Sequence, residues 1–208
     1  MSQSIEVGFS TSPEVEIDDL PVVGKIPEWV SGTLLRNGPG TFKVGNQRYR
    51  HWFDGLAMLH RFTINGGRVS YANKFLESKS YSLAQKNGQI MYSEFATDPC
   101  RSLFARAMAV FNPDVTDSAK VNIAKLADHF VALAETPIQI EFDPITLKSV
   151  GVAAWDSSNF GRMTTVHPQI DEANNEAFNL VTRYGALSSY CFRKIDVQEG
   201  IALSLIHI

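Results

Sequence analysis

Short apolar and β-branched runs, separated by turn residues, fill most of this chain. Residues 56–64 and 68–75 are two such runs joined by Asn65-Gly66-Gly67, which predicts a β-hairpin. The same pattern predicts further strands at 33–35, 49–53, 90–95, 121–126, 129–134, 138–142, 149–153, 163–166, 177–182 and 189–195. Many short strands at a spacing of roughly 8–12 residues favour an all-β sandwich, barrel or propeller. No strict sequence repeat is visible, so periodicity does not choose among these three.

One segment departs from this pattern. Residues 100–111 carry apolar side chains at helical spacing after the start signal Asp98-Pro99, which predicts a short amphipathic helix. The apolar side chains are Leu103, Phe104, Ala107, Met108 and Phe111. Such a helix could dock on the sheet by its apolar face. It could also rest in the surface of a membrane, where arginine flanks and bulky apolar residues are typical.

The chain divides into an arm and a body. Residues 1–30 are polar with scattered prolines and predict an extended N-terminal arm, while residues 31–202 form the body. Within the body, the strand at 33–35 is followed by a stretch crowded with Gly38, Pro39 and Gly40. A phosphate-binding loop would need a Lys-Ser/Thr pair and a following helix, and neither is present. We therefore interpret this stretch as a structural turn.

Composition narrows the class of protein. The chain has 208 residues, of which 44% are hydrophobic and 20% charged, as in a soluble globular protein. A net charge of −3 without a basic run argues against nucleic acid as a partner. Cys100 and Cys191 match no metal or redox spacing, which favours a reducing compartment. We see neither a signal peptide nor the ~18 apolar residues of a transmembrane helix, and expect a cytoplasmic protein.

The last six residues, LSLIHI at 203–208, do not continue the preceding pattern after the polar break at 198–200. They look like the in-frame translation of a sequencing-library adapter, which would not belong to the natural protein. On this interpretation the natural protein is longer, and His207 is not a candidate ligand.

His167 is the candidate metal ligand. It ends the strand predicted at 163–166 and is followed by Pro168, which biases His167 towards an extended backbone. An imidazole held at the rim of a sheet is well placed to bind a metal. The simpler alternative is a surface histidine at a strand-to-turn junction, because single motifs give many false matches.

Glu135 is the carboxylate that we single out. It ends the strand predicted at 129–134 and precedes Thr136-Pro137, so it too should be extended at a strand end. It is either a solvated turn residue or an acceptor for the N–H of a metal-bound histidine. Such an acceptor fixes the tautomer of the imidazole and raises its basicity. No Ser/His/Asp or Cys/His arrangement indicates nucleophilic catalysis.

Three other histidines carry simpler interpretations. His51 and His60 lie among large apolar residues, where a hydrogen-bonded structural histidine is the usual outcome. His129 follows a turn at Asp128 and should be exposed or half-buried. None of them has the i, i+4 spacing of a helical metal site.

Six blocks of sequence, in order, resemble the carotenoid cleavage oxygenases and their retinoid-isomerising relatives. The blocks are GTLLRNGPG (32–40), HWFDGLAMLHRF (51–62), SEFATDPC (93–100), DVTDSAKVNI (114–123), AETPIQIEFDPITL (134–147) and TTVHP (164–168). The resemblance implies that this all-β chain is the N-terminal part of a seven-bladed β-propeller, with one short amphipathic helix near 100–111. It also implies a ferrous ion, Fe(2+), held on the propeller axis by four histidines, some of them braced by glutamates.

The resemblance assigns a role to each candidate residue. TTVHP makes His167 the first of the four iron ligands, and ETP makes Glu135 a bracing glutamate. Residues 100–111 resemble the apolar segment near the tunnel mouth, through which family members dock on membranes and extract a lipid substrate. The block that contains His51 and His60 has no ligand in the family.

The implied reaction is the cleavage of one double bond of a carotenoid or apocarotenoid by O2, which gives two carbonyl products. At four strands and roughly 40–45 residues per blade, 208 residues supply about half of the ring. The other three iron ligands would lie beyond residue 202, so we expect this chain alone to be inactive. The alternatives are an oxygenase for a stilbene-type alkene and a non-catalytic β-propeller that binds lipid.

Overall fold

The computed structural model describes residues 7–99, 115–153, 163–183, 188–196 and 201–207. Within these residues the chain is mostly β-structure, arranged as three antiparallel sheets and a two-stranded ribbon, with the helix α1 (Lys79–Asn87) between strands. The three sheets follow one another along the sequence. The expectation of a mostly β protein is therefore confirmed.

The first sheet is built on the predicted hairpin. It contains β1 (Glu16–Ile17), β2 (Gly32–Thr41), β5 (Leu56–Asn65) and β6 (Arg68–Phe75), in the order β1-β6-β5-β2. The ribbon of β3 (Lys43–Val44) and β4 (Gln47–Arg48) lies between β2 and β5 in sequence. Asn65 pairs with Arg68 across the turn, where both glycines have positive φ, so the hairpin is confirmed.

The second sheet is a simple meander of β7 (Asn122–Leu126), β8 (His129–Leu133), β9 (Ile140–Phe142) and β10 (Ser149–Val152). The third sheet contains β11 (Met163–Thr164), β12 (Gln169–Asp171), β13 (Glu176–Arg183), β14 (Ser189–Asp196) and β15 (Ile201–His207). Both β11 and β12 pair with β13, so they form two halves of one edge strand. The segment that we predict to be adapter-derived forms most of β15, and its origin stays a prediction.

Apolar side chains pack between the faces of successive sheets. The cluster between the first and second sheets contains Ala57, Leu59, Ala72, Leu76, Ala119, Ala132, Ile140, Phe142 and Leu147. The cluster between the second and third sheets contains Ala124, Leu126, Val131, Leu133, Ala153, Val166, Ala177 and Ile195. Strand β8 therefore has apolar side chains on both faces, which explains why its sequence is a continuous apolar run.

Residues 7–30 lie against the first sheet. The Asn73 side chain on β6 accepts a hydrogen bond from Val15 N at 2.6 Å and donates one to Pro13 O at 3.0 Å. Further along, Leu20 N donates to Val69 O at 2.7 Å. Strand pairing in this segment is limited to the two residues of β1, and single backbone bonds join the rest of it to the sheet, such as the bond from Ser12 N to Gly40 O at 2.8 Å.

Two predicted strands are wrong. Residues 49–53 and 90–95 are irregular, because isolated partners rather than a neighbouring strand satisfy their backbone groups. Tyr49 N donates to Phe42 O at 2.9 Å, and Ile90 N donates to the side chain of Gln47 at 2.6 Å.

The predicted turn at 38–40 is also wrong, since these residues continue β2. A Cβ atom on Gly40 would lie 2.5 Å from the Cβ of Met58 and 2.9 Å from the ring of Phe75. Glycine is therefore required at this position by the close approach of β5 and β6 side chains.

Helix α1 was not predicted, whereas the helix predicted at 100–111 lies outside the described residues. The Oγ of Ser78 accepts from Tyr81 N, and Gly88 ends the helix in the left-handed conformation with φ 62°. Both are standard cap residues, which the sequence shows. The sequence shows no helical spacing of apolar residues here, because only Ser80 and Ala84 of this helix are buried. No helix among the described residues has the length and apolar character needed to cross a bilayer.

A buried polar network joins α1 to the first two sheets. Asp117 accepts hydrogen bonds from Lys79 N at 2.6 Å and Ser80 N at 2.8 Å, which caps the free N–H groups of the helix. Nearby, Glu94 pairs with Lys120 at 2.5 Å, and the two side chains are 4% and 6% exposed. Burial raises the pKa of Glu94, although the Lys120 ammonium opposes this shift.

We expect Glu94→Gln to destabilise the chain by about 3–5 kcal/mol, because it leaves the Lys120 ammonium buried without a counter-ion. The double variant Glu94→Gln/Lys120→Met should recover most of this loss, since it removes both charges. Urea denaturation followed by circular dichroism measures the free energy of unfolding. As a control, Glu176→Gln breaks the pair with Lys194, whose two side chains are 22% and 25% exposed, and should cost less than about 1 kcal/mol because water still screens both charges. A loss below 1 kcal/mol for Glu94→Gln would contradict the prediction.

Candidate metal centre

His167 lies in a break of the edge strand of the third sheet. Met163 of β11 is opposite Thr182, and Gln169 of β12 is opposite Phe178. Residues 165–168 therefore separate the two halves of the edge strand. Pro168 has no N–H to donate to a neighbouring strand, which favours the break at this point. His167 is exposed and makes no hydrogen bond to another described residue, so its ring nitrogens are open to a ligand.

A backbone hydrogen bond joins Glu135 to the segment that carries His167. Glu135 follows β8 by two residues, and its carbonyl accepts a hydrogen bond from Thr164 N at 2.7 Å. This bond joins the end of β8 to a residue three positions before His167. The Glu135 side chain is exposed, and the neighbouring Thr136 Oγ1 is buried without a hydrogen-bond partner among the described residues.

The two carbonyls in front of His167 are held by asparagine side chains. Asn122 Nδ2, at the start of β7, donates to Val166 O at 2.8 Å. Asn179 Nδ2, on β13, donates to Thr165 O at 2.9 Å, while Thr165 Oγ1 donates back to Asn179 Oδ1 at 2.6 Å. The Val166 side chain is 7% exposed and lies in the apolar cluster between the second and third sheets. The backbone that carries His167 is thus fixed to two sheets.

The donor set in the described residues suits one position of a metal site. No group of three or more His, Cys, Asp and Glu side chains in the described ranges could hold a metal ion. A single free imidazole fits iron(II) as one nitrogen donor, and the other donors would have to come from elsewhere in the protein. The roles of His167 and Glu135 therefore stay predictions.

His51 and His60 have structural partners, and His129 is half-buried, as predicted. His60 Nδ1 lies 2.8 Å from the hydroxyl of Tyr71, and His51 Nδ1 accepts from Phe53 N at 3.1 Å. His129, whose side chain is 42% exposed, lies 2.6 Å from a carboxylate oxygen of Glu141.

Several blocks that carry the family resemblance are parts of the buried polar network rather than of the candidate site. Asp54 is fully buried and accepts from Ala96 N at 3.1 Å and Thr97 Oγ1 at 2.5 Å. Ser118 Oγ donates to Gly55 O at 3.1 Å, which joins the first sheet to the segment before β7. These contacts join segments of the first two sheets, and none of them involves His167.

Two cavities line the second sheet. One of about 510 Å³ lies between β2 and β7 and is lined by Asn37, Val121 and Asn122, among others. Another of about 570 Å³ lies between the turns at 126–129 and 170–176, and His167 does not line it. The predicted membrane-contact residues at 103–111 lie outside the described residues.

Sequence and structure comparisons identify the class of protein. The profile of the retinal pigment epithelial membrane protein (RPE65) family matches residues 8–207, and the chain belongs to this family. It is similar to the human beta,beta-carotene 15,15'-dioxygenase, with 43% identity over 175 residues that cover 81% of this chain and 32% of the relative.

Solved structures show the same likeness in three dimensions. A variant of the Synechocystis apocarotenoid oxygenase superposes with a TM-score of 0.81 at 26% identity, over 99% of this chain and 44% of that chain. The cobalt-substituted Synechocystis enzyme superposes with a TM-score of 0.74, also at 26% identity, over 97% and 43% of the two chains. The chain spans about a third of the length of the curated relatives.

The environment of His60 predicts a pH dependence of stability. Burial, assisted by the Arg36 guanidinium, lowers the pKa of His60 below its usual 6.5. The folded state disfavours the charged imidazole, so protonation of His60 favours unfolding. The contribution of the neutral imidazole to the free energy of unfolding is therefore complete above pH 6.5 and is lost as the pH falls through the folded-state pKa. In His60→Gln the free energy of unfolding should fall less between pH 7.5 and pH 5 than in the wild type. Urea unfolding at both pH values measures this difference.

Tyr71→Phe is the matched control for this measurement. It removes the hydrogen bond to His60 but keeps the imidazole, so it should lower stability at both pH values and preserve the slope. An unchanged slope in His60→Gln would contradict the assignment.

Proposed function

We propose that the protein carrying this chain is a non-haem iron(II)-dependent dioxygenase that cleaves a double bond of a carotenoid or apocarotenoid. The observation that carries the proposal is the free imidazole of His167, held in a strand break by bonds from two sheets. The family membership and the names of the similar proteins give the substrate class.

We further propose that the three sheets are successive blades of a seven-bladed β-propeller. The second sheet has the four-stranded meander of a blade, and neighbouring sheets pack face to face as blades do. The family resemblance supplies the number seven. On this arrangement β2, β7 and the β11–β12 strand would be the inner strands, because each is an edge strand and β7 lies beside β2.

In this proposal His167 is one of four histidine ligands, and Glu135 accepts a hydrogen bond from a metal-bound imidazole. Four neutral imidazoles would leave iron(II) its full charge, and the bound metal would supply the chemistry that activates O2. The residues of this chain would position one ligand and fix its tautomer. The other ligands would come from residues outside the described ranges, so this chain alone is expected to be inactive.

The apolar segment around residues 103–111 would contact a membrane and admit the substrate. The cleaved bond would depend on where the tunnel stops the polyene, which is a matter of shape. Curated relatives and solved neighbours are named as carotenoid or apocarotenoid enzymes, which favours this substrate class over a stilbene or a bound lipid.

The test compares variants of the full-length protein that carries this chain. His167→Ala should remove bound iron, measured by mass spectrometry of the metal, and abolish carotenoid cleavage, measured by loss of β-carotene absorbance. Glu135→Gln should weaken iron binding by roughly 10–100-fold, because it removes the charge of the hydrogen-bond acceptor.

His129→Ala is the matched control, since His129 is also a partly exposed histidine near a carboxylate. It should retain iron and activity. Retention of both by His167→Ala would overturn the proposal, and so would turnover by the 208-residue chain alone.

A further inference from the structure

The hydrogen bond between Asn122 and Val166 links two sheets immediately before His167. Asn122 lies at the start of β7 in the second sheet, 44 positions before Val166. Its Nδ2 donates to Val166 O at 2.8 Å, and its Oδ1 accepts from Ile123 N at 2.9 Å. The amide therefore uses both a donor and an acceptor, which a carboxylate or an alkyl side chain cannot do.

Asn179 holds the preceding carbonyl in the same way from the third sheet. Its Nδ2 donates to Thr165 O at 2.9 Å, and its Oδ1 accepts from Leu180 N at 2.8 Å. Asn122 and Asn179, from neighbouring sheets, thus donate hydrogen bonds to the carbonyls of the two consecutive residues before His167. On the other side, Pro168 restricts the backbone of His167 itself.

From this geometry we infer that Asn122 is a positioning residue for His167, an inference that rests on the proposed function. A metal ligand has to be held within about 0.5 Å of its productive position by the groups behind it. Burial of the Val166 side chain between the second and third sheets is non-directional, and Asn179 holds Thr165 from the third sheet. From the second sheet, the Glu135 carbonyl accepts from Thr164 N, and Asn122 Nδ2 donates to Val166 O. Of these two directional contacts, the Asn122 side chain acts on the residue immediately before His167.

Asn122 has a second role that a test must separate from positioning. Asn37 Nδ2 on the first sheet donates to Ala119 O at 2.7 Å and to Asn122 O at 3.3 Å, so the start of β7 is also part of the junction between the first two sheets. A substitution at Asn122 could therefore lower stability without any effect on His167. The control has to be another asparagine whose side chain bonds the backbone of a distant segment, with no bond near the candidate centre.

The experiment uses the full-length protein with cobalt(II) in place of iron. Asn122→Asp keeps the size of the side chain but removes the donor to Val166. We expect cobalt(II) binding to weaken by roughly 10–100-fold, with a shift of the d–d absorption bands that report ligand geometry. Asn73→Asp is the control, because Asn73 is 7% exposed, and the backbone partners of its side chain are Pro13 and Val15, in the segment before β1.

The readouts distinguish positioning from stability. Thermal melting measures the loss of stability in each variant, and Asn73→Asp should melt early but bind cobalt(II) with the wild-type affinity and spectrum. An affinity and spectrum of Asn122→Asp equal to those of Asn73→Asp would overturn the inference. If Asn122→Asp does not fold, Asn122→Ala removes the same donor without adding a charge. Failure of both to fold, while Asn73→Asp folds, would also overturn it, since Asn122 would then be a stability residue.

His167→Ala separates this inference from the proposed function. If His167→Ala binds cobalt(II) as the wild type does, the ligand assignment fails, and with it the inference. If His167→Ala loses cobalt(II) while both Asn122 variants keep the wild-type affinity and spectrum, the ligand assignment stands and the positioning role of Asn122 fails alone.

Discussion

Apolar packing between the faces of neighbouring sheets is the interaction on which the structure depends. Val131 and Ala132 are consecutive on β8 and fully buried, one against the third sheet and the other against the first. Burial of apolar surface contributes about 25 cal/mol per Å², and it is non-directional, so it brings sheets together without selecting one register. Directional contacts at the strand ends therefore have to set the final arrangement, and the polar network and the asparagine amides provide them.

The buried polar groups explain why the family resemblance is spread over the whole chain. Asp54, Glu94 and Asp117 each receive hydrogen bonds from segments distant in sequence. A buried polar group is costly unless it is paired, so each of these positions depends on its partner. The blocks that contain them specify the assembly of the sheets. The blocks TTVHP and ETP differ, because His167 and Glu135 leave their side chains exposed, where a satisfied core residue would be buried.

The features predictable from sequence were the local ones. The β5–β6 hairpin follows from a turn signal between adjacent runs. The strand predicted at 163–166 ends at Thr164, two residues early, and the break that contains His167 and Pro168 separates β11 from β12. Helix α1 was missed because its apolar face is minimal, and because Asp117, which accepts from two further N–H groups of its first turn, lies 37 positions after Ser80. Strands were wrongly predicted at 49–53 and 90–95, because these apolar runs bond to isolated backbone and side-chain groups rather than to a neighbouring strand. No pattern in the sequence indicates that Asn122 meets Val166, because that contact exists only once two sheets have packed.

A metal site shared among sheets depends on the register between them. In the proposed site the third sheet supplies His167 and the second supplies Glu135, and the bonds from Thr164 N and Asn122 Nδ2 join these two sheets at 2.7 Å and 2.8 Å. A slip of one residue would move a strand by about 3.3 Å, which is enough to break both bonds. The same slip would change the position of His167 relative to Glu135. The geometry of such a site is therefore a property of sheet packing rather than of the loop that carries the histidine, and the residues that hold the register act on the metal without touching it.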